Sequence, residues 1–192
     1  MNLLVLGPPG AGKGTQSKRI ANEYGITHLS TGDMFRAEID AGTDVGCRVE
    51  PILAAGDLVP DEVTIGLIRD RLTGAGANFG FVLDGFPRNE AQADVLDQLM
   101  QELDRELDAI LFFDLPEHVA IQRMLGRASK EGRTDDVPDA IQHRLDVYRS
   151  DTAPVVELYR ATGKLVPLHA QLSTDEVWIE IQQALDQVGA RA

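Results

Sequence analysis

The sequence predicts an α/β fold: a parallel sheet with helices on both faces. Three observations predict it. Short apolar runs alternate with longer helical stretches along the whole chain, the pattern of repeated strand–helix–strand units. The first apolar run feeds a turn with repeated glycine, and a helix-friendly segment follows. A later apolar run ends in an acid, Asp84. In parallel sheets ligands bind beyond the carboxyl ends of the strands, where both the glycine turn and Asp84 fall.

Residues 2–6 are continuously apolar and read as a buried strand. Lys13 to about Tyr24 reads as a helix stopped by Gly25. Ile26–Leu29 is a short strand candidate. Ser30-Thr31-Gly32-Asp33 is a capping cluster opening a helix from about Met34 to Ala41, ended by Gly42. Val45–Ala55 reads as a further helix, kinked or started near Pro51 and closed by Gly56. Residues 30–59 thus form a small helical insert. Pro60-Asp61-Glu62 starts a helix ending near Leu72, before Gly74 and Gly76. Phe79–Leu83 reads as the next buried strand, leading into Asp84-Gly85-Phe86-Pro87-Arg88. Asn89 opens a long polar helix to about Leu107. Ala109–Leu115 is another strand, and Pro116-Glu117 starts the helix carrying Arg123 and Arg127. The charged, non-periodic stretch 128–136 reads as a loop. Val137–Ala161 reads as helical, kinked at Thr152-Ala153-Pro154. Lys164–Leu168 is the last strand, and Ser173-Thr174-Asp175-Glu176 is a capping box for the terminal helix. No repeat, low-complexity tract or flexible linker is visible.

Bulk properties narrow the function. A chain of 192 residues suits one α/β domain with a small insert, and 43% hydrophobic residues suffice for a packed core. Runs such as Ile110–Phe113 are too short to cross a bilayer. Met1-Asn2 brings no basic lead-in and no cleavage site, so no signal peptide is expected and the expected location is cytoplasmic. Cys47 is the single cysteine, which excludes an internal disulfide and a thiol–metal cluster. A net charge of −13 argues against nucleic-acid and acidic-membrane partners. It does not forbid gripping phosphates, because charges beyond about 8 Å fade at physiological salt.

The stretch Gly7-Pro8-Pro9-Gly10-Ala11-Gly12-Lys13-Gly14-Thr15 carries the chemistry. It fits Gly-x-x-x-x-Gly-Lys-[Ser/Thr] through Gly7, Gly12 and Lys13, but Gly14 stands where a hydroxyl is usual and Thr15 supplies it one residue later. Glycines let backbone amides face an anion, the helix start adds its positive dipole end, and Lys13 adds a full charge. Asp84, at the end of an apolar strand, is placed to hold magnesium directly or through water. The cations that could meet a polyanion here are Arg36, Arg88, Arg123, Arg127, Arg133 and Arg144. Arg123 and Arg127 share a helical face and repel each other unless an anion sits between them. Setting aside Lys13 and these six arginines leaves 11 of the 18 basic residues against 31 acids. Positive charge is therefore expected to be gathered in one place.

Residues 7–16, Ser30-Thr31-Gly32-Asp33, Asp84-Gly85-Phe86-Pro87-Arg88, and Asp135-Asp136 following Arg133 closely resemble adenylate kinase over nearly the whole chain. Gly14 is that family's own variant of the phosphate loop. The resemblance implies a P-loop nucleoside monophosphate kinase fold with a five-stranded parallel sheet flanked by helices. It implies a core (1–29 and 60–192), an insert (30–59) binding the monophosphate, and a short loop (126–136) in place of the longer lid many members carry. It implies the reaction MgATP + AMP ⇌ MgADP + ADP. By resemblance, Gly10, Ala11, Gly12, Lys13, Gly14 and Thr15 cradle ATP, with Arg123, Arg127 and backbone near Gln171-Leu172. Thr31, Arg36, Asp57, Leu58, Val59, Gly85, Phe86, Pro87, Arg88 and Gln92 hold AMP. Arg133 and Arg144 reach toward AMP and the transferred group. Lys13, Arg88, Arg123, Arg133 and Arg144 are the catalytic set, with Mg²⁺ held by Asp84, most simply through water. Zinc is excluded by the short loop and the single cysteine. His28, His118, His143 and His169 are scattered and serve as neither base nor metal ligand. ATP, AMP and ADP are the implied partners of an expected monomer.

Two rivals differ in residues. UMP/CMP kinases share the loop and the Gly-Phe-Pro-Arg turn but usually place Ala where Thr31 stands and lack a match to Gln92. A guanine nucleotide switch requires Asn-Lys-x-Asp, which is absent. A non-catalytic relative would show damage to the loop or the arginines, and none is visible.

Overall fold

A computed structural model describes residues 1–74, 79–131 and 136–189. Five strands alternate with helices: β1 (Asn2–Leu6), α1 (Lys13–Tyr24), β2 (Thr27–Ser30), α2 (Thr31–Asp40), α3 (Asp44–Ala55), α4 (Asp61–Thr73), β3 (Phe81–Asp84), α5 (Glu90–Glu102), β4 (Ala109–Asp114), α6 (Glu117–Glu131), α7 (Pro138–Val147), α8 (Ala153–Arg160), β5 (Leu165–His169) and α9 (Thr174–Gly189). The strands pair in parallel in the order β2-β3-β1-β4-β5. β1 is central, with β3 on one side and β4 on the other, so the turn after it opens between both halves of the sheet.

Alternation along β1 divides the core. Leu3 and Val5 face α1, α6, α7 and α9 through Ile20, Met124, Ile141 and Ile181. Leu4 and Leu6 face α4, α5 and α8 through Ile68, Leu96 and Val155. Strands covered on both sides must be apolar throughout, which is why residues 2–6 read so clearly. A third, smaller cluster of Phe35, Val49 and Val59 lies within and just beyond residues 30–55.

Several boundaries depart from the sequence-based expectation. Phe79 is in a turn and 83% exposed, outside β3. The strand begins only where Phe81 can pair with Met1 and Asn2. β2 lies one residue later than Ile26–Leu29, ending on Ser30, and β5 likewise runs one residue past Leu168. α2 begins at Thr31, not near Met34, because Ser30 is its cap and accepts from the Asp33 N–H at 3.2 Å. α5 stops at Glu102, well short of Leu107: Leu103 caps it and Asp104 takes a left-handed conformation (φ 52°), turning the chain toward β4. α6 runs to Glu131, so residues 128–131 are helix where a loop was expected, and residues 132–135 lie outside the described residues. The kink expected at Thr152–Pro154 is a π-helical turn, Tyr148–Thr152, joining α7 to α8. The box at Ser173 forms as read, with the Glu176 carboxylate accepting from the Ser173 N–H at 2.9 Å and Ser173 Oγ accepting from the Glu176 N–H at 3.3 Å.

Candidate active site

A cleft of about 450 Å³ opens at the carboxyl ends of β1 and β3. Residues 9–15 form one wall. No acid occupies the first turn of α1 and no side chain caps its N-terminus, so its positive end is left for an external anion. Gly10 has φ 81°, and a Cβ there would meet the Ala120 carbonyl oxygen at 2.8 Å. Glycine at this position lets the loop pack directly on the start of α6.

Lys13 donates to the carbonyls of Gly7 and Pro8 at 2.7 and 2.8 Å, folded against its own loop. Burial pulls its ammonium down to about 8. Asp84 pushes it back up, while Arg88, Arg144 and Arg127 add to the depression. Burial, helped by the three arginines, makes the charge costly to hold until an anion arrives.

Of the six arginines singled out in the sequence, Arg36, Arg88, Arg123, Arg127 and Arg144 line this one cleft with Lys13. Arg133 lies outside the described residues. Arg88 stands at the end of a turn containing a cis Phe86–Pro87 bond. Its Nε donates to the Gly85 carbonyl at 2.8 Å and its N–H donates to Gln92 Oε1 at 2.8 Å. Arg123 donates to the carbonyls of Ala170, Gln171 and Leu172 at 2.7, 3.3 and 3.4 Å, which brings the segment after β5 to the cleft. Arg127 forms a fork with Asp136 at 2.6 and 2.7 Å, and Arg144 reaches the same carboxylate at 2.9 Å. The Asp136 side chain is fully buried between them. The Arg123/Arg127 repulsion expected from spacing is therefore relieved on one side by an acid from a different segment.

Asp84 is 8% exposed and lines the cleft, its Oδ2 within 3.5 Å of where a Cβ on Gly14 would stand. His28 Nε2 lies 3.9 Å from that oxygen and is buried without a hydrogen-bond partner among the described residues.

The residues expected to hold a monophosphate divide. Arg36, Leu58, Gly85, Pro87 and Arg88 line the main cleft. Thr31, Val59 and Gln92 instead line a small recess of about 20 Å³ beside it, with Phe35, Leu53 and Leu58 as its apolar wall. Thr31 is fixed by donating to the Gly85 carbonyl at 2.9 Å. Gln92 accepts from the Arg88 N–H and donates to Asp61 at 2.7 Å, so its amide has a set orientation. Phe86 packs into the core. Asp57 lines neither the cleft nor the recess, and its side chain meets His143 at 2.6 Å.

Sequence reasoning missed Lys18, Tyr148 and Thr152, which also line the cleft. Lys18 and Arg36 share Asp33, at 3.3 and 2.6 Å. Burial pushes the Asp33 carboxyl up, but these two cations outweigh it and hold it below its ordinary range. Tyr148 is kept as a neutral phenol: burial, with Asp114 nearby, pushes it up to about 12. The kink at 152–154 was the signal that could have found Thr152.

The adenylate kinase family model matches residues 5–164. The adenylate kinase of Xanthomonas campestris pv. campestris (strain B100) is 45% identical over 185 residues, 96% of this chain and 99% of that protein. The adenylate kinase of Stenotrophomonas maltophilia (strain R551-3) is 44% identical over the same shares. The chain belongs to the adenylate kinase family. It is thereby an enzyme, a nucleoside monophosphate kinase, on the five-stranded parallel sheet that the motifs implied. Among the described residues no helix is long and apolar enough to cross a membrane.

Proposed function

We propose that this cleft catalyses reversible transfer of the γ-phosphoryl group of ATP to AMP, giving two ADP. The observation that carries this reading is the convergence of Lys13 and five arginines on the glycine turn of a chain whose net charge is −13. Concentrating cations in one notch of an acidic protein is costly unless polyanions fill it. ATP lies on the Gly10–Thr15 wall with Arg123 and Arg127, its base near the Gln171-Leu172 backbone that Arg123 holds. AMP lies across from it, its phosphate against Arg36 and Arg88 and its base toward the recess of Thr31, Val59 and Gln92. An amide has two N–H donors and two lone pairs. Gln92 spends one of each on Asp61 and the Arg88 N–H, leaving one of each for an adenine edge.

The acceptor is an ionised phosphate oxygen, so no side chain need remove a proton. Catalysis consists of aligning two polyanions and matching the charge on the moving group. Lys13, Arg88, Arg123 and Arg144 supply that charge from opposite walls, and Arg133 is assigned with them by its place in the motif. Asp84 fits a hydrated divalent cation: one buried carboxylate, with the orphaned Nε2 of His28 beside it, suits Mg²⁺ held through water. When bound, Mg²⁺ neutralises phosphate charge. The 30–59 insert closes over the substrates and excludes water. The enzyme works in the cytoplasm as a monomer, without nucleic-acid or membrane partners. Steady-state assays with MgATP and each of AMP, CMP, UMP and GMP test the assignment: kcat/KM is expected to be highest for AMP, and a preference for a pyrimidine nucleotide overturns it.

A further inference from the structure

The π-helical turn between α7 and α8 has a cause in the sequence. Pro154 lacks an N–H and its ring clashes with the carbonyl four residues earlier when it continues a regular α-helix. Here the chain widens over Tyr148–Thr152 before Pro154 enters at the start of α8, and Ala153 donates to the Tyr148 carbonyl across the wider turn. Such turns inside helices recur at functional sites because they re-aim side chains. In this one, Tyr148 and Thr152 are brought to the cleft wall. Thr152 is 8% exposed, and its hydroxyl donates to the Arg88 carbonyl at 2.8 Å, across 64 positions of sequence.

That bond completes a fixed frame for Arg88. The Arg88 N–H is held by Gln92, its Nε by Gly85 and its carbonyl by Thr152, each at 2.8 Å. The first two are local, three or four residues away. Of these three, the Thr152 bond is the long-range one: it ties the turn to the π-helical joint before α8 and so fixes the distance between the turn and that wall of the cleft. We infer that Thr152 is a positioning residue for AMP, acting through the backbone of Arg88. The inference rests on the proposed placing of AMP against Arg88.

The test compares Thr152→Val, which keeps the shape and removes the hydroxyl, with Thr152→Ser, which keeps the hydroxyl. Arg88→Ala is run beside them, and Thr152→Ala replaces the valine variant should that one not fold. The expected result is a fall of about fivefold or more in kcat/KM for AMP in Thr152→Val, the scale of one lost buried hydrogen bond. The KM for ATP should stay within about twofold, and Thr152→Ser should be close to the parent. Unchanged AMP kinetics in Thr152→Val, equal losses on both nucleotides, or failure of serine to rescue overturns the role of Thr152. Should Arg88→Ala itself leave the KM for AMP untouched, the placing of AMP is wrong instead.

Discussion

At the scale of single residues, Lys13 and Arg88 bear the sharpest predictions. Lys13 is folded onto the Gly7 and Pro8 carbonyls, and burial holds its ammonium near 8. A polyphosphate would raise that value again, so nucleotide binding takes up a proton once the free enzyme has lost it. The sign follows: ATP binding should weaken as pH rises through about 8 and be independent of pH, as far as Lys13 is concerned, well below it, where the ammonium is already charged. A KM for ATP followed from pH 6.5 to 9.5 checks this. Lys13→Met removes the positive charge at every pH. It should abolish that dependence and lower kcat by about 10²–10³ or more, with the circular dichroism spectrum unchanged. Arg88 stands on the opposite wall. Arg88→Ala should raise the KM for AMP and cut kcat while sparing ATP binding, measured by varying each nucleotide at saturating levels of the other. Both residues were legible in the sequence because their motifs are local: a glycine turn and a Gly-Phe-Pro-Arg turn each carry their own geometry. Asp136 shows the opposite case. The sequence marks it as part of a family motif after Arg133 but gives it no role, while its burial between Arg127 and Arg144 depends on how α6 and α7 meet.

At the scale of elements, that meeting is itself a structural joint. α6 brings Arg127, α7 brings Arg144, and one fully buried carboxylate binds both. Removing one partner from a buried charge network leaves the others uncompensated, at about 3–5 kcal/mol. Asp136→Asn, which keeps the size and loses the charge, should therefore lower the urea midpoint markedly and disturb ATP and AMP kinetics together, since its two arginines are the ones proposed to serve ATP and AMP. The element boundaries show why parts of the fold could not be read from pattern alone. β1 was clear because both its faces are buried. α5 was overextended because residues 103–107 keep helical composition, and the left-handed Asp104 that ends the helix has no strong signature. Phe79 reads as strand on its hydrophobicity, yet β1 begins too late to pair with it. α6 continues to Glu131 through residues that carry no apolar period, because their intrinsic helix propensity suffices to extend a helix already begun.

At the scale of the whole molecule, the question is what holds the insert against the core. Its C-terminal end meets α7 closely. Gly56 has φ 86°, and a Cβ there would stand 2.7 Å from Arg144 Cγ and 2.9 Å from the Ala140 carbonyl oxygen. One residue on, Asp57 meets His143 at 2.6 Å, with about half of each side chain exposed. Neither member lines the cleft, yet the pair joins the segment leading into Leu58 and Val59 to the helix that carries Arg144. A clamp of this kind holds the end of the insert against α7 without lining the cleft, so its loss should appear as weaker AMP binding rather than slower chemistry. An exposed polar pair of this kind contributes about 0–1 kcal/mol, which limits the effect to about fivefold. His143→Gln and Asp57→Asn should each raise the KM for AMP by a few fold, with the KM for ATP unchanged and kcat not reduced. A like-charge pair made by His143→Glu should raise it further. Exchanging the two residues, Asp57→His with His143→Asp, should bring it back toward the parent value. Additive losses in the exchanged protein would show that each residue acts alone and that the insert is held by its apolar contacts and the Gly56 packing.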